Sequence, residues 1–237
     1  MSKKSRNVDN PKPKFSFKKN VLPPVVGMVT MLGVFGLLNT EYLTAQYIYR
    51  FTKPPVAIAQ SYTYTPDKDI QQLNIPSLTI AAPIMSEPSL VESDVQMGLR
   101  SGVVHFGEIG EFGKFGNVII VGHSSGAAWS PGQYKFVFTM LDKIKQNDKI
   151  IVDYKGTRYV YSVKNITVVE PNNVEVLKQP KDKKLITLIT CTPVGTSAKR
   201  LVVTAEQILP KTDPSEYATA TDTNSAAVPP SKINLPK

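Results

Sequence analysis

The sequence is short of the residues that build metal and disulfide frameworks. Its 237 residues include one cysteine, two histidines and one tryptophan. One cysteine excludes an intrachain disulfide and any multi-cysteine zinc site. Two histidines leave little scope for a histidine-rich metal centre. The acidic side is also thin: 19 Asp and Glu face 28 Lys and Arg, a net charge of +9. On its face such an excess suggests an anionic partner, nucleic acid or membrane. The remainder is ordinary for a globular chain, with 41% hydrophobic and 20% charged residues.

The charge is concentrated. Residues 1–20 carry Lys3, Lys4, Arg6, Lys12, Lys14, Lys18 and Lys19 against Asp9 alone, so +6 of the +9 lies in this head. An apolar run from Val21 to Leu38 follows, with Thr30 as its one polar member and no charge. As a helix it would rise about 27 Å, near the thickness of a bilayer's hydrocarbon. Pro23 and Pro24 stand at its start, where a helix tolerates them. Tyr42, Tyr47 and Tyr49 follow and suit a membrane–water interface. A basic head before an apolar span predicts a cytoplasmic N-terminus and an external remainder. The small-x-small pair Ala57 and Ala59 lies too far downstream for a signal-peptide cleavage site, so the span reads as an uncleaved anchor.

The expected organisation is a basic head over 1–20, a signal-anchor over 21–40, a juxtamembrane helix and linker over 41–69, one folded domain over 70–210 and a disordered tail over 211–237. The domain reads as mainly β. Strands are expected at Leu73 to Ile80, Val103 to Phe106, Asn117 to Gly122, Lys149 to Tyr154, Arg158 to Val169, Leu185 to Cys191 and Arg200 to Ile208. Short helices are expected near Ser89 to Met97 and Tyr134 to Leu141. Many short strands at this spacing suggest a closed barrel or a sandwich.

Three residues stand out chemically. Cys191 ends an apolar strand before Thr192-Pro193-Val194-Gly195. Alone it reads as core filler, but a single thiol in an external domain also reads as reactive. His123 ends the strand Val118-Ile119-Ile120-Val121 and can exchange protons. Arg200 begins the strand Leu201-Val202-Val203, nine residues past the cysteine. Adjacent strands would set Arg200 beside Cys191, where a permanent cation can hydrogen-bond a developing oxyanion.

Asn117-Val118-Ile119-Ile120-Val121-Gly122-His123, Thr187-Leu188-Ile189-Thr190-Cys191 and Arg200-Leu201-Val202-Val203 together resemble the sortase family of bacterial cysteine transpeptidases. Gly102 to Phe106 and Phe138 to Leu141 fit the same spacing, so the resemblance spans about residues 70–209. It implies an eight-stranded β-barrel on the outer face of a bacterial membrane. It implies that Cys191 attacks a Leu-Pro-x-Thr-Gly-like sorting signal, that His123 moves the protons and that Arg200 holds carbonyl or oxyanion. It implies surface proteins as substrates and an amine acceptor, on a cell-wall precursor or a pilin lysine. Thr190 and the loop before the cysteine strand, with Val174, Val176 and Leu177, would contact substrate. The Cys191-Thr192-Pro193 run resembles the pilin-polymerising class. That class usually has a second span and an Asp-Pro-aromatic lid, and neither is expected here, so a housekeeping class stays equally open.

Competing readings are weaker. Gly122-His123-Ser124-Ser125-Gly126 fits the Gly-x-Ser-x-Gly elbow of serine hydrolases, but no histidine follows Ser124 to complete their order. A non-catalytic surface barrel with a core cysteine is the other rival. His105, inside a strand, reads as a packing residue or as one that supports the site from behind. Glu108 and Glu111 lie in a Gly-rich loop that could bind Ca²⁺, as some members of the family do, but two carboxylates are too few to claim a site; the loop reads as solvated, and no cofactor is required. Leu209-Pro210-Lys211-Thr212-Asp213 resembles a sorting signal with Asp for Gly, a coincidence on the present reading.

Overall fold

A computed structural model describes residues 21–51, 65–87, 91–106, 109–126 and 132–211. The basic head, part of the linker and the C-terminal tail beyond Lys211 lie outside these residues. Contacts divide the chain into Met1–Thr40 and Glu41–Lys237.

In the first unit, helix α1 runs from Leu22 to Leu38 with no buried residue. Its prolines occupy the first turn, where their missing N–H groups have no intrahelical partner to lose. The helix stops at Asn39, whose backbone and side-chain amides both donate to Phe35 O. At 17 residues α1 is shorter than the span expected over 21–40. No helix among the described residues is long and apolar enough to cross a membrane. A second helix, α2, covers Thr40–Phe51.

The larger unit holds eight strands: β1 (Gln72–Ile75), β2 (Ile80–Glu87), β3 (Val103–Phe106), β4 (Gly116–Val121), β5 (Lys149–Tyr154), β6 (Thr157–Val169), β7 (Lys184–Thr192) and β8 (Lys199–Leu209). They close into a barrel in the order β1-β2-β3-β4-β7-β8-β6-β5. Closure removes the free edges that an open sheet would expose. The expected strand Leu73 to Ile80 is in fact β1, a short 3-10 turn over Pro76–Leu78 and the start of β2. Pro76 opens that turn, and Thr79 at φ 56° closes it and reverses the chain. Helix α3 (Glu92–Ser101) carries the crossover between the parallel strands β2 and β3. The helix expected over Tyr134 to Leu141 is instead a run of turns ending in a 3-10 turn, Leu141–Lys143.

Strand alternation sorts the apolar side chains into two clusters. Val118 and Ile120 of β4, Ile186 and Leu188 of β7 and Leu201 and Val203 of β8 point into the barrel. Ile119, Val121, Ile189 and Val202 point outward, where Val95 and Leu99 of α3 and Leu177 cover them. Both faces of the β4–β7 ladder are therefore buried, which explains its unbroken apolar sequence. Each fully buried Val, Leu or Ile adds about 1.5–3 kcal/mol.

Candidate active site

Register brings the three predicted residues together. Strands β7 and β8 are antiparallel with Cys191 directly opposite Arg200. Strands β4 and β7 are parallel, with Val121 opposite Ile189. Two residues further along each strand lie His123 and Cys191, so the parallel register carries both to the same level. The side-chain period of two puts Cys191 on the face of Ile189, and Arg200 on the face of Val202, which is the outer face. His123 and Cys191 are half-buried and Arg200 is buried.

The His123 segment is held on every side. Thr190 Oγ1 donates to Gly122 O at 2.7 Å, and Gly122 N–H donates to Ile189 O at 3.1 Å. Phe138 N–H donates to His123 O at 2.9 Å, and Thr139 Oγ1 donates to Ser124 O at 2.6 Å. Ser125 Oγ accepts the Gly195 N–H at 3.1 Å, tying this segment to the loop after the cysteine. Gly122 is required here, because a Cβ would run into the Phe138 ring. Thr139 and Phe138 thus position the histidine, a role that their sequence spacing alone did not reveal.

Burial sets the protonation states. It pushes the Cys191 thiol above its ordinary value, with the Arg200 charge pulling the other way. It pushes His123 below its ordinary value. In each case burial favours the neutral form, thiol and imidazole. The reactive thiolate forms when the proton moves to a base, and its charge is favoured by Arg200 across the ladder. The Arg200 guanidinium donates to Ser197 O at 3.0 Å and Lys199 O at 3.2 Å, which fixes it on the β7–β8 turn.

The remaining expected contacts separate. Thr190 is buried, and its hydroxyl is engaged by Gly122 O, so it joins two strands. Val174 and Val176 are half-buried and Leu177 is buried, all in the outer cluster. Their loop leaves β6 at Val169, opposite Arg200, and enters β7 at Lys184, opposite Gly116. It therefore runs the length of the outer face below Cys191.

Ser124 cannot serve as a hydrolase nucleophile: it is 2% exposed and its Oγ has no hydrogen-bond partner. His105 is a packing residue, as expected. Its Nε2 lies 3.2 Å from Gly110 O, and its ring stacks near Phe112 and Tyr154. Glu108 lies outside the described residues, and Glu111 pairs with Lys114 at 2.5 Å. Among the described residues no group of three or more His, Cys, Asp or Glu could hold a metal ion. Leu209 ends β8 opposite Val160, and Thr212 and Asp213 of the signal-like segment lie outside the described residues.

The closed barrel thus sets a half-buried cysteine opposite an arginine, with a histidine level beyond the next strand. The sortase domain family model matches residues 73–208. The chain belongs to the sortase family, whose members are cysteine transpeptidases. It is 27% identical over 170 residues to Sortase A of Bacillus anthracis, covering 72% of this chain and 73% of that one. It is 29% identical over 162 residues to Sortase SrtE1 of Streptomyces coelicolor, covering 62% of this chain and 42% of that one. The crystal structure of sortase C1 from Streptococcus suis matches with a TM-score of 0.50 and 26% identity, over 60% of this chain and 74% of that chain. These likenesses replace the non-catalytic barrel reading with an enzyme of a family that acts on surface proteins with sorting signals and on amine acceptors.

Proposed function

We propose that this chain is a membrane-anchored transpeptidase that cleaves a Leu-Pro-x-Thr-Gly-like sorting signal through a thioacyl-enzyme on Cys191. The observation that carries this reading is the ladder pair of Cys191 and Arg200, with His123 brought level by the β4–β7 register. The Cys191 proton passes to His123 as the sulfur attacks the threonine carbonyl carbon. Arg200 stabilises the oxyanion that forms. The carbon–nitrogen bond breaks, and the His123 imidazolium gives its proton to the leaving amine. An incoming amine then attacks the thioester, loses its proton to His123 and expels the Cys191 sulfur. The product is a new amide and a regenerated thiol. The acceptor is an amine of a cell-wall precursor or a pilin lysine.

Anchoring rests on the sequence, a basic head followed by the uncharged apolar run Val21 to Leu38; helix α1 within that run, at 17 residues, is by itself short of a span. Basic residues preceding that helix favour a cytoplasmic N-terminus in a bacterial cell membrane and an external catalytic domain. Alkaline carbonate extraction tests the anchor, and release of intact protein argues against it.

The chemistry is tested by mass spectrometry of the protein with a Leu-Pro-x-Thr-Gly peptide library and an added amine. A thioacyl adduct on Cys191 that converts to amide product is the expected result. No adduct on correctly folded protein overturns the reading.

A further inference from the structure

The loop that runs below Cys191 is held to the barrel by one polar cluster. Asn117, at the foot of β4, is 3% exposed. Its Nδ2 donates to Val176 O at 3.1 Å, and its Oδ1 accepts from Thr187 Oγ1 at 2.8 Å. Thr187 in turn lies 3.4 Å from Thr204 Oγ1, so the amide orientation is fixed by a partner on β7 that itself leans on β8.

Gln179 completes the cluster from the loop side. Its Oε1 accepts the Asn117 N–H at 2.8 Å, and its Nε2 donates to Asn117 O at 2.9 Å and to Leu177 O at 3.0 Å. The pattern has a cause in strand pairing. Strand β3 pairs with β4 only at Val104–Val121 and His105–Ile120. Below that the backbone of β4 would lack partners on this side, and buried peptide groups require them. The Gln179 amide fills the place of a strand residue there. Gly116 makes room for it, since a Cβ at that position would lie 2.7 Å from Gln179 Oε1.

We propose that Asn117 and Gln179 are positioning residues that fix the Val174–Leu177 turn and thereby set peptide selectivity. The turn is short and rests half-buried on the outer cluster, so its place depends on these amide bonds as well as on packing. What the turn selects rests on the transpeptidase reading above; what holds it rests on the hydrogen bonds alone. Two readouts on the full chain keep these apart. Gln179→Ala removes three hydrogen bonds and should speed amide hydrogen exchange across residues 174–179 by about tenfold or more. It should raise KM for sorting-signal peptides by about fivefold to tenfold, with kcat within about twofold, and flatten the ranking of a peptide library. Gln179→Glu keeps the acceptor and the size but turns a carboxylate oxygen toward the Asn117 and Leu177 carbonyls, so it should shift both readouts the same way by at least as large a factor. Alkylation of Cys191 should be unchanged in both variants. Exchange at the wild-type rate, or a fall in kcat at constant KM, overturns the clamp. A wild-type protein that takes no peptide overturns the transpeptidase reading, while hydrogen exchange still decides the clamp.

Discussion

The neighbourhoods of the two histidines show what places a group in the site. His105 in β3 pairs with Ile120 of β4, and His123 follows that same β4 three residues later. Burial lowers the pKa of both. Around His105 stand the rings of Phe112 and Tyr154 and the Gly110 carbonyl. Around His123 stand a chain segment pinned by Thr139, Phe138 and Thr190, and a thiol at the same register level. A perturbed histidine is therefore no marker of catalysis by itself. Strand register separates the packed imidazole from the one level with the Cys191 thiol.

The sharpest test of this contrast is removal of the thiol. Cys191→Ala should abolish the thioacyl adduct and lower transpeptidation by about 10³-fold or more, read by peptide cleavage and mass spectrometry. The histidine pair comes next. His123→Ala should lower kcat by about 10²- to 10⁴-fold, while His105→Phe should leave kcat within about threefold. Equal losses in both would erase the distinction drawn here.

Arg200→Lys keeps the charge but not the planar fork. A loss of roughly tenfold to a hundredfold is expected. Arg200→Ala should also slow alkylation of Cys191 at pH 7, because the charge that lowers the thiol pKa is gone. Thr139→Val removes the donor to Ser124 O. It should destabilise the domain by about 1–3 kcal/mol in denaturant unfolding and slow turnover by about tenfold, as the His123 segment loosens.

The smallest effect is on pH-dependent stability. A histidine whose folded pKa is lowered is neutral in both states above its unfolded value of about 6.5. As pH falls below that, the unfolded chain takes up the proton first, and stability declines until the folded pKa is passed. Lys155 works in the same direction as burial at His105, and Glu111 and the Gly110 carbonyl work against it. Melting temperatures between pH 7.5 and pH 5 should therefore fall less steeply for His105→Phe than for the wild type. Parallel curves would assign the acid sensitivity elsewhere.

Much of this was legible from residues. The apolar runs Val118 to Val121 and Leu185 to Ile189 announce strands because they are buried on both faces. Cys191, His123 and Arg200 were visible because each stands at the end of such a run. Strand β2 was not visible, since Ala81-Ala82-Pro83 lacks the β-branched pattern and Pro76 had masked the reversal before it. The helix expected over Tyr134 to Leu141 failed because its apolar side chains are spread over successive turns, with Phe138 drawn to the His123 carbonyl. Thr190, a substrate contact by the resemblance, stands on the opposite face of β7 from Cys191 and donates to Gly122 O, a bond that no local pattern shows.

By itself the sequence determined the inventory: one thiol, a basic head before an apolar stretch, and strands whose ends carry the reactive groups. Local patterning suffices for these, because periodicity and charge are properties of short segments. Only the tertiary structure decided that His123, Cys191 and Arg200 share one face at one level. That depends on parallel β4–β7 and antiparallel β7–β8 registers between segments far apart in the chain. The same holds for Thr139, Asn117 and Gln179, whose partners lie 15, 59 and 62 residues away. Hydrogen bonds across such distances follow from how the barrel closes, and no local pattern records them.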